Sequence, residues 1–195
     1  MAEAQKANIV MFGFAKSGKT TFIKDVVDNA FCEDYVESTQ EIPSQTSVTV
    51  GCAKFDVLIY DIGGNSLTSK SATVATYASS GTIHIFVISN SNLDKEANDQ
   101  MKMLGGLIET KSYLDQTVDV MAFIVTKKDQ SADLDTSKVK EIAEKKQALY
   151  FELDLHNTQE AQETLKKIIA KYAEVKGIPT EAKGKKGKKG GCTLF

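Results

Sequence analysis

The chain has 195 residues, of which 42% are hydrophobic, and this is enough for one domain with its own core. No apolar run reaches the length of a membrane-spanning helix, and three scattered cysteines exclude a disulfide framework. The formal net charge is −2, but the residues from 177 onward carry +4 and all 24 basic residues are lysines. The chain therefore has no arginine to use in catalysis, and we expect an anionic partner for its basic end.

Segments of apolar periodicity predict strands and helices in turn, which is typical of an α/β sheet with right-handed crossovers. The alternation of polar and apolar residues over 47–50 indicates an edge strand. Asn157 and Glu160 have the spacing of a capping pair before the last helix. The predicted strands are 9–12, 46–52, 55–60, 82–89, 118–126 and 149–153, and the predicted helices are 20–28, 71–79, 95–111, 136–146 and 158–175.

The first predicted strand is followed by GFAKSGKT, residues 13–20, which fits the phosphate-binding pattern GxxxxGK[ST]. Gly13 and Gly18 let backbone N–H groups approach phosphate oxygens, and the helix that follows adds the positive end of its dipole. Lys19 brings a positive charge to the β and γ phosphates, and the Thr20 hydroxyl can bind Mg²⁺. The predicted phosphate site comprises Gly13, Phe14, Ala15, Lys16, Ser17, Gly18, Lys19, Thr20 and Thr21.

A second motif, Asp61-Ile62-Gly63-Gly64, ends the third predicted strand and has the form DxxG. Asp61 can hold Mg²⁺ through water, and the N–H of Gly64 can reach a γ phosphate. By itself, this tetrapeptide is also compatible with an ordinary turn at the end of a strand.

A third motif, Thr126-Lys127-Lys128-Asp129, follows the apolar run of the fifth predicted strand. The carboxylate of Asp129 can accept two hydrogen bonds from guanine, which adenine cannot donate. A solvated charged turn is the other reading of this segment, and the order of the three motifs favours the guanine site.

In this order, the three motifs resemble those of the Ras superfamily of small GTPases, and the resemblance covers residues 8–175 and the C-terminus. It implies a P-loop NTPase G domain, with a six-stranded, mostly parallel sheet, one antiparallel edge strand and helices on both faces. It also implies that GTP and GDP bind with Mg²⁺ and that GTP is hydrolysed. GKTT and DIGG resemble the Arf branch, whereas TKKD and the C-terminal end resemble Rho or Ras, so the branch stays open.

The same resemblance implies roles for further residues. Phe31 would pack against the guanine base, Lys127 would lie over its ring, and Thr126 would belong to the same base site. Near the last predicted strand, Asp154 and Leu155 stand at the final guanine contact, where the backbone N–H of Leu155 can donate. The metal set implied is Thr20, Asp61 and a switch residue, for which the spacing leaves both Thr39 and Ser38 open and favours Thr39.

For catalysis, the resemblance points to Lys19, Gly64 and Asn65. Asn65 stands where most members have the glutamine that orients the attacking water, and its side chain is one methylene shorter. The methyl group of Ala15 crowds the space for an arginine, which an activating protein would have to supply in trans. We therefore expect slow hydrolysis; the other hypothesis is a nucleotide-binding scaffold with little or no hydrolysis. A third hypothesis, a kinase of a small metabolite, would need a lid rich in arginines, and their absence disfavours it.

The C-terminus, Cys192-Thr193-Leu194-Phe195, is a CaaX-type end, in which Cys192 would be prenylated. The preceding lysines supply the second signal that stable membrane anchoring needs. A solubilising tail or a nucleic-acid-binding tail is the other reading, and we expect no nucleic acid. We predict a G domain over 1–176 and a flexible polybasic tail over 177–195 that meets an anionic membrane through Lys183, Lys185, Lys186, Lys188 and Lys189.

Location and partners follow from these motifs. The residues before the first strand lack the apolar segment of a secretory signal, so we expect an intracellular chain on the cytoplasmic face of a plasma or internal membrane, with a cytosolic pool. Ala2 stands where N-terminal myristoylation requires glycine. We expect a monomer whose partners are an exchange factor, a GTPase-activating protein and effectors.

Overall fold

The computed structural model describes residues 4–31, 43–64, 72–90, 118–127 and 136–181. These residues form one six-stranded sheet in the order β2-β3-β1-β4-β5-β6. β2 runs antiparallel to β3 at the edge, and every other neighbouring pair is parallel, which confirms the predicted fold. The strands are β1 (Gln5–Phe12), β2 (Ser44–Val50), β3 (Ala53–Asp61), β4 (Ile83–Ser89), β5 (Val120–Thr126) and β6 (Leu149–Glu152).

Helices pack on both faces of this sheet, as predicted. The described helices are α1 (Lys19–Asp28), α2 (Ala72–Ser80), α3 (Thr136–Lys145) and α4 (Thr158–Val175). β1 alternates between two cores, because Ile9 and Met11 pack with α1 and α4, whereas Val10 and Phe12 pack with α2 and α3. The helix predicted at 95–111 lies outside the described residues.

Several predicted strand boundaries were wrong by one or two residues, and the start of β1 was wrong by four. β1 begins at Gln5 rather than at residue 9, because its parallel pairing with β3 extends back to Gln5 opposite Phe55. β2 ends at Val50, and the two residues that were assigned to its end, Gly51 and Cys52, instead form the turn into β3. Gly51 has a φ of +58°, a conformation in which glycine is favoured over residues with a Cβ.

The chain after α4 returns to that turn. Ile178 packs against the core beside α4, and the N–H of Cys52 donates to the carbonyl of Thr180 at 2.8 Å. A Cβ at Gly51 would overlap the same carbonyl group. Residues 177–181 therefore lie against the body of the domain, and the boundary at 176 stays a prediction.

Candidate functional site

The register of the sheet brings the predicted motifs to one edge. β1 and β3 are parallel, with Asp61 opposite Met11, and the N–H of Ile62 donates to the Met11 carbonyl at 3.2 Å. The loop after β1, the turn after β3 and the end of β5 are thus neighbours. Crevices at the carboxyl ends of parallel strands are where ligands bind in open α/β sheets.

The phosphate loop, residues 13–20, has glycine where other residues would collide. Gly18 caps α1 with a φ of +94°. A Cβ there would lie 3.0 Å from Cδ1 of Leu155 and 3.2 Å from Cγ2 of Thr126. A Cβ at Gly13 would overlap the carbonyl group of Val87 on β4. The loop is therefore held against β4, β5 and the chain after β6, and only glycine allows that approach.

Lys19 places its ammonium group inside this loop. Its Nζ donates to the carbonyl oxygens of Gly13 and Phe14, each at 2.9 Å, and the residue is only 6% exposed. Burial lowers the pKa of Lys19, and the Asp61 carboxylate acts in the opposite direction. The positive charge is thus fixed by the loop itself, at the place where the motif predicts phosphate oxygens.

Thr20 and Asp61 form the candidate metal site. The Thr20 hydroxyl donates to Oδ2 of Asp61 at 2.7 Å. Oδ1 of Asp61 is buried and has no hydrogen-bond partner among the residues that the structure describes. A hydroxyl and a carboxylate with a buried, unsaturated oxygen fit Mg²⁺, which prefers hard oxygen ligands. The pair also fixes the start of α1 to the end of β3.

The remaining residues of the loop and of DxxG lie around this pair. Gly64 packs on the backbone of the phosphate loop so closely that a Cβ would overlap Ala15 and Phe14. The side chain of Lys16 is exposed, those of Phe14 and Ser17 are buried, and Thr21 is half-buried at the start of α1. Because Phe14 and Ser17 turn inward, their contribution to a phosphate site is their backbone.

Thr126 holds the phosphate loop to β5. Its hydroxyl donates to the carbonyl of Ser17 at 2.8 Å, and the residue is completely buried. Lys127, the next residue, has a φ of +57°, so the chain turns sharply at the end of the strand. The structure thus gives Thr126 a bracing contact, and its role at a base stays a prediction.

Phe31, Asp154, Leu155 and His156 form a second group of side chains, which we call the aromatic side of the site. The rings of Phe31 and His156 are tilted by 31°, with centroids 4.4 Å apart. Oδ1 of Asp154 accepts hydrogen bonds from the backbone N–H of His156 at 2.9 Å and from its Nδ1 at 2.8 Å. Leu155 is buried and meets the phosphate loop near Gly18.

Sequence reasoning gave no role to His156, although one signal could have indicated its contact. An aspartate in a turn commonly accepts a hydrogen bond from the backbone N–H two residues later, an arrangement called an Asx turn, and Asp154 stands two residues before His156. The predicted capping pair was only partly right, because the Asn157 side chain caps no backbone N–H. It donates instead to Glu160 at 3.5 Å, and Glu160 accepts from the N–H of Asp154 at 3.3 Å.

A second residue that the sequence did not single out is Asp25 on α1. It is completely buried, and neither carboxylate oxygen has a hydrogen-bond partner within the described part of the chain. Burial raises the pKa of Asp25 to about 7, and the nearby His156 opposes that shift. Asp25 therefore lies close to the aromatic side and is costly to ionise.

The other predicted residues fall outside the described ranges. They are the switch candidates Ser38 and Thr39, the catalytic candidate Asn65, the base candidate Asp129, the lysines from Lys183 to Lys189 and the lipidation candidate Cys192. Of the helices in the described ranges, none has the length and apolar content that crossing a membrane requires.

The chain is similar to a known family of proteins. A family model described as the ADP-ribosylation factor family matches residues 1–174, which include the phosphate loop, the DxxG turn and the aromatic side. No curated protein sequence matches the chain.

Proposed function

The chain belongs to the ADP-ribosylation factor family of small GTPases, and we propose that it is a membrane-anchored switch whose own hydrolysis of GTP is slow. As a member of that family, it binds GTP and GDP with Mg²⁺, hydrolyses GTP and works with exchange factors, activating proteins and effectors. The motifs left the branch open, and the family match identifies it as the Arf branch, which GKTT and DIGG resemble. Nucleotide position, hydrolysis rate and membrane attachment are the parts we propose.

The observation that carries the nucleotide assignment is the Thr20–Asp61 hydrogen bond of 2.7 Å beside the buried ammonium of Lys19. We place the β and γ phosphates at Lys19, and Thr20 and Asp61 would hold Mg²⁺, which neutralises phosphate charge when bound. Phe31, Thr126, Lys127, Asp129 and Leu155 would surround the guanine, and Thr39 or Ser38 would join the metal when GTP is bound.

We expect slow hydrolysis because the chain lacks two groups that usually speed the reaction, a glutamine that orients water and an arginine. Water must attack the γ phosphorus in line while the bond to the bridging oxygen breaks, and a positioned side chain and an arginine lower that barrier. The chain has asparagine at position 65 and no arginine anywhere. Gly64 packs directly on Ala15, which narrows the space where an arginine from another protein would enter.

A single-turnover assay tests this part. Protein loaded with GTP and Mg²⁺ is followed as GTP converts to GDP, with Lys19→Ala as the blank. We expect conversion that is slow but above the blank, and a rise of about tenfold in Asn65→Gln because the longer amide can orient the water. Slow turnover without any gain in Asn65→Gln would refute the stated cause.

Retained, intact GTP in the same assay would favour the second candidate, a nucleotide-binding scaffold with little or no hydrolysis. The absence of arginine and the replacement at position 65 favour that candidate too. The two are separated by adding an arginine-bearing activating protein, because a switch would then turn over and a scaffold would not.

For membrane attachment, we propose prenylation of Cys192 together with the five lysines between 183 and 189. Near an anionic leaflet, each lysine contributes about 1 kcal/mol, which adds to the partial anchoring of one lipid chain. In fractionated cells, Cys192→Ser should move the protein from the membrane to the soluble fraction. A Thr193→Ser variant is the control, since it keeps the cysteine. Equal membrane binding of wild type and Cys192→Ser would contradict the proposal.

A further inference from the structure

The contact between Phe31 and His156 joins two distant parts of the chain. Phe31 follows α1, whereas His156 lies between β6 and α4. Their ring centroids are 4.4 Å apart, so the two rings are in close contact. His156 itself is mostly exposed, with 60% of its side chain open to solvent, so its ring adds little to the core of the domain.

Asp154 fixes the orientation of that imidazole. A carboxylate oxygen can only accept, so Nδ1 of His156 carries the hydrogen in the 2.8 Å contact with Oδ1. The same oxygen accepts from the backbone N–H of His156 at 2.9 Å, which also holds the turn. Glu160 accepts from the N–H of Asp154 at 3.3 Å and ties the turn to the first turn of α4. The ring is thus held from both its backbone and its Nδ1 side.

The turn that holds His156 also meets the phosphate loop. Leu155 is buried, and its Cδ1 lies 3.0 Å from the position of a Cβ at Gly18. Phe31 is therefore linked, through His156 and the backbone of Leu155, to the loop that cradles the phosphates. A ring at position 156 offers a flat aromatic face that packs against the ring of Phe31. An aliphatic or amide side chain has no such face.

We propose that His156 is a positioning residue that holds Phe31 against the nucleotide base and so sets the lifetime of bound GDP. The inference rests on the proposed placement of the base beside Phe31. His156 acts through Phe31 and does not itself contact the reacting phosphates. Its Asp154 bond orients the ring, and its aromatic face supplies the contact.

The test is the dissociation rate of a fluorescent GDP, measured with Mg²⁺ and excess unlabelled GDP. We expect His156→Ala to raise that rate by about three- to tenfold, the range that corresponds to loss of one aromatic pair. His156→Phe keeps a ring and should restore most of the lifetime, whereas His156→Gln keeps a donor for Asp154 and should not. Gln159→Ala, which removes an exposed side chain that donates to Glu163, is the matched control.

A double-mutant cycle with Phe31→Leu separates positioning from general stability. If His156 acts through Phe31, adding His156→Ala to Phe31→Leu should leave the dissociation rate unchanged. An unchanged rate in His156→Ala alone, or effects that multiply fully in the double variant, would overturn the proposal. If wild type binds the fluorescent GDP no better than Lys19→Ala, the nucleotide placement itself fails, and the inference fails with it. Because the assay follows GDP, its outcome is independent of the hydrolysis rate and of the membrane anchor.

Discussion

On the phosphate side of the site, Lys19, Thr20 and Asp61 lie at the ends of α1 and β3, whereas on the aromatic side Phe31, Asp154 and His156 lie in the connections between elements. The phosphate side is positioned by sheet register and by hydrogen bonds to the main chain. The aromatic side is positioned by the contact between the rings of Phe31 and His156 and by carboxylates that hold the turn before α4. Under the proposed function, we therefore expect nucleotide affinity to depend mainly on the phosphate side and the lifetime of bound GDP to depend mainly on the aromatic side.

The largest expected effect comes from removing the buried charge on the phosphate side. Lys19→Ala should weaken GDP binding by about 100- to 1,000-fold, because it removes the ammonium group that we propose meets the phosphates. Equilibrium titration with labelled GDP measures this, and Lys166→Ala, an exposed lysine on α4, serves as the control. A loss of affinity below tenfold would be no larger than the effect expected of His156→Ala, and would contradict the claim that the phosphate side contributes more to GDP binding than the aromatic side.

Gly18→Ala tests how tightly the two sides are packed together. The added methyl group would lie 3.0 Å from Leu155 in a backbone with φ +94°, so we expect a loss of about 2–3 kcal/mol in the free energy of unfolding. Gly177→Ala is the matched control, since its φ is +64° but nothing lies within 4 Å. It should lose only about 1 kcal/mol from the backbone.

Urea unfolding in buffer without nucleotide compares these two glycine variants, so that a change in GDP affinity does not enter the comparison. Equal losses in the free energy of unfolding would mean that the contact between Leu155 and the phosphate loop does not stabilise the domain. A larger loss of stability at Gly18 would show that the packing of Leu155 against the phosphate loop stabilises the domain.

Asp25→Asn should make the domain more stable at high pH. Between pH 3.8 and about 7, the folded carboxyl stays protonated while the unfolded one is ionised, so the stability that Asp25 contributes falls as the pH rises. The variant should therefore match wild type near pH 4 and exceed it by about 2 kcal/mol at pH 8, allowing for relaxation around the charge.

Unfolding midpoints at pH 5, 6, 7 and 8 measure this difference. Asp28→Asn, an exposed position on the same helix, should show little change with pH and is the control. A constant difference between Asp25→Asn and wild type at every pH would show that the buried carboxylate is stabilised by a partner and is not costly.

The smallest expected effect is at the brace between β5 and the phosphate loop. Thr126→Val keeps the shape but removes the donor to the Ser17 carbonyl, and should cost about 1–2 kcal/mol of stability because that buried acceptor loses its bond. Thr126→Ser keeps the hydroxyl and should recover much of the loss. If the valine variant unfolds at the same urea concentration as wild type and the serine variant unfolds at a lower one, the methyl group stabilises the domain and the hydroxyl does not.

Much of the phosphate side could be predicted because its signals are local. The loop of residues 13–20 specifies its own turn, and Asp61 lies beside it because the ends of parallel strands meet at one edge of the sheet. The turn at Gly51 was missed because the alternating pattern of β2 continues into it. The aromatic side was only half predicted: Phe31 was assigned to the base, whereas His156 was left without a role.

The sequence by itself determined the α/β sheet with its edge strand and the position of the phosphate loop, because periodicity and spacing are properties of short segments, and the resemblance added the antiparallel direction of that edge. Only the tertiary structure decided that Thr126 bonds to Ser17, 109 positions away, and that His156 meets Phe31. It also decided that Asp25 is buried on a helix whose pattern does not single it out. These contacts depend on where packed elements bring distant side chains, and no local pattern encodes that distance.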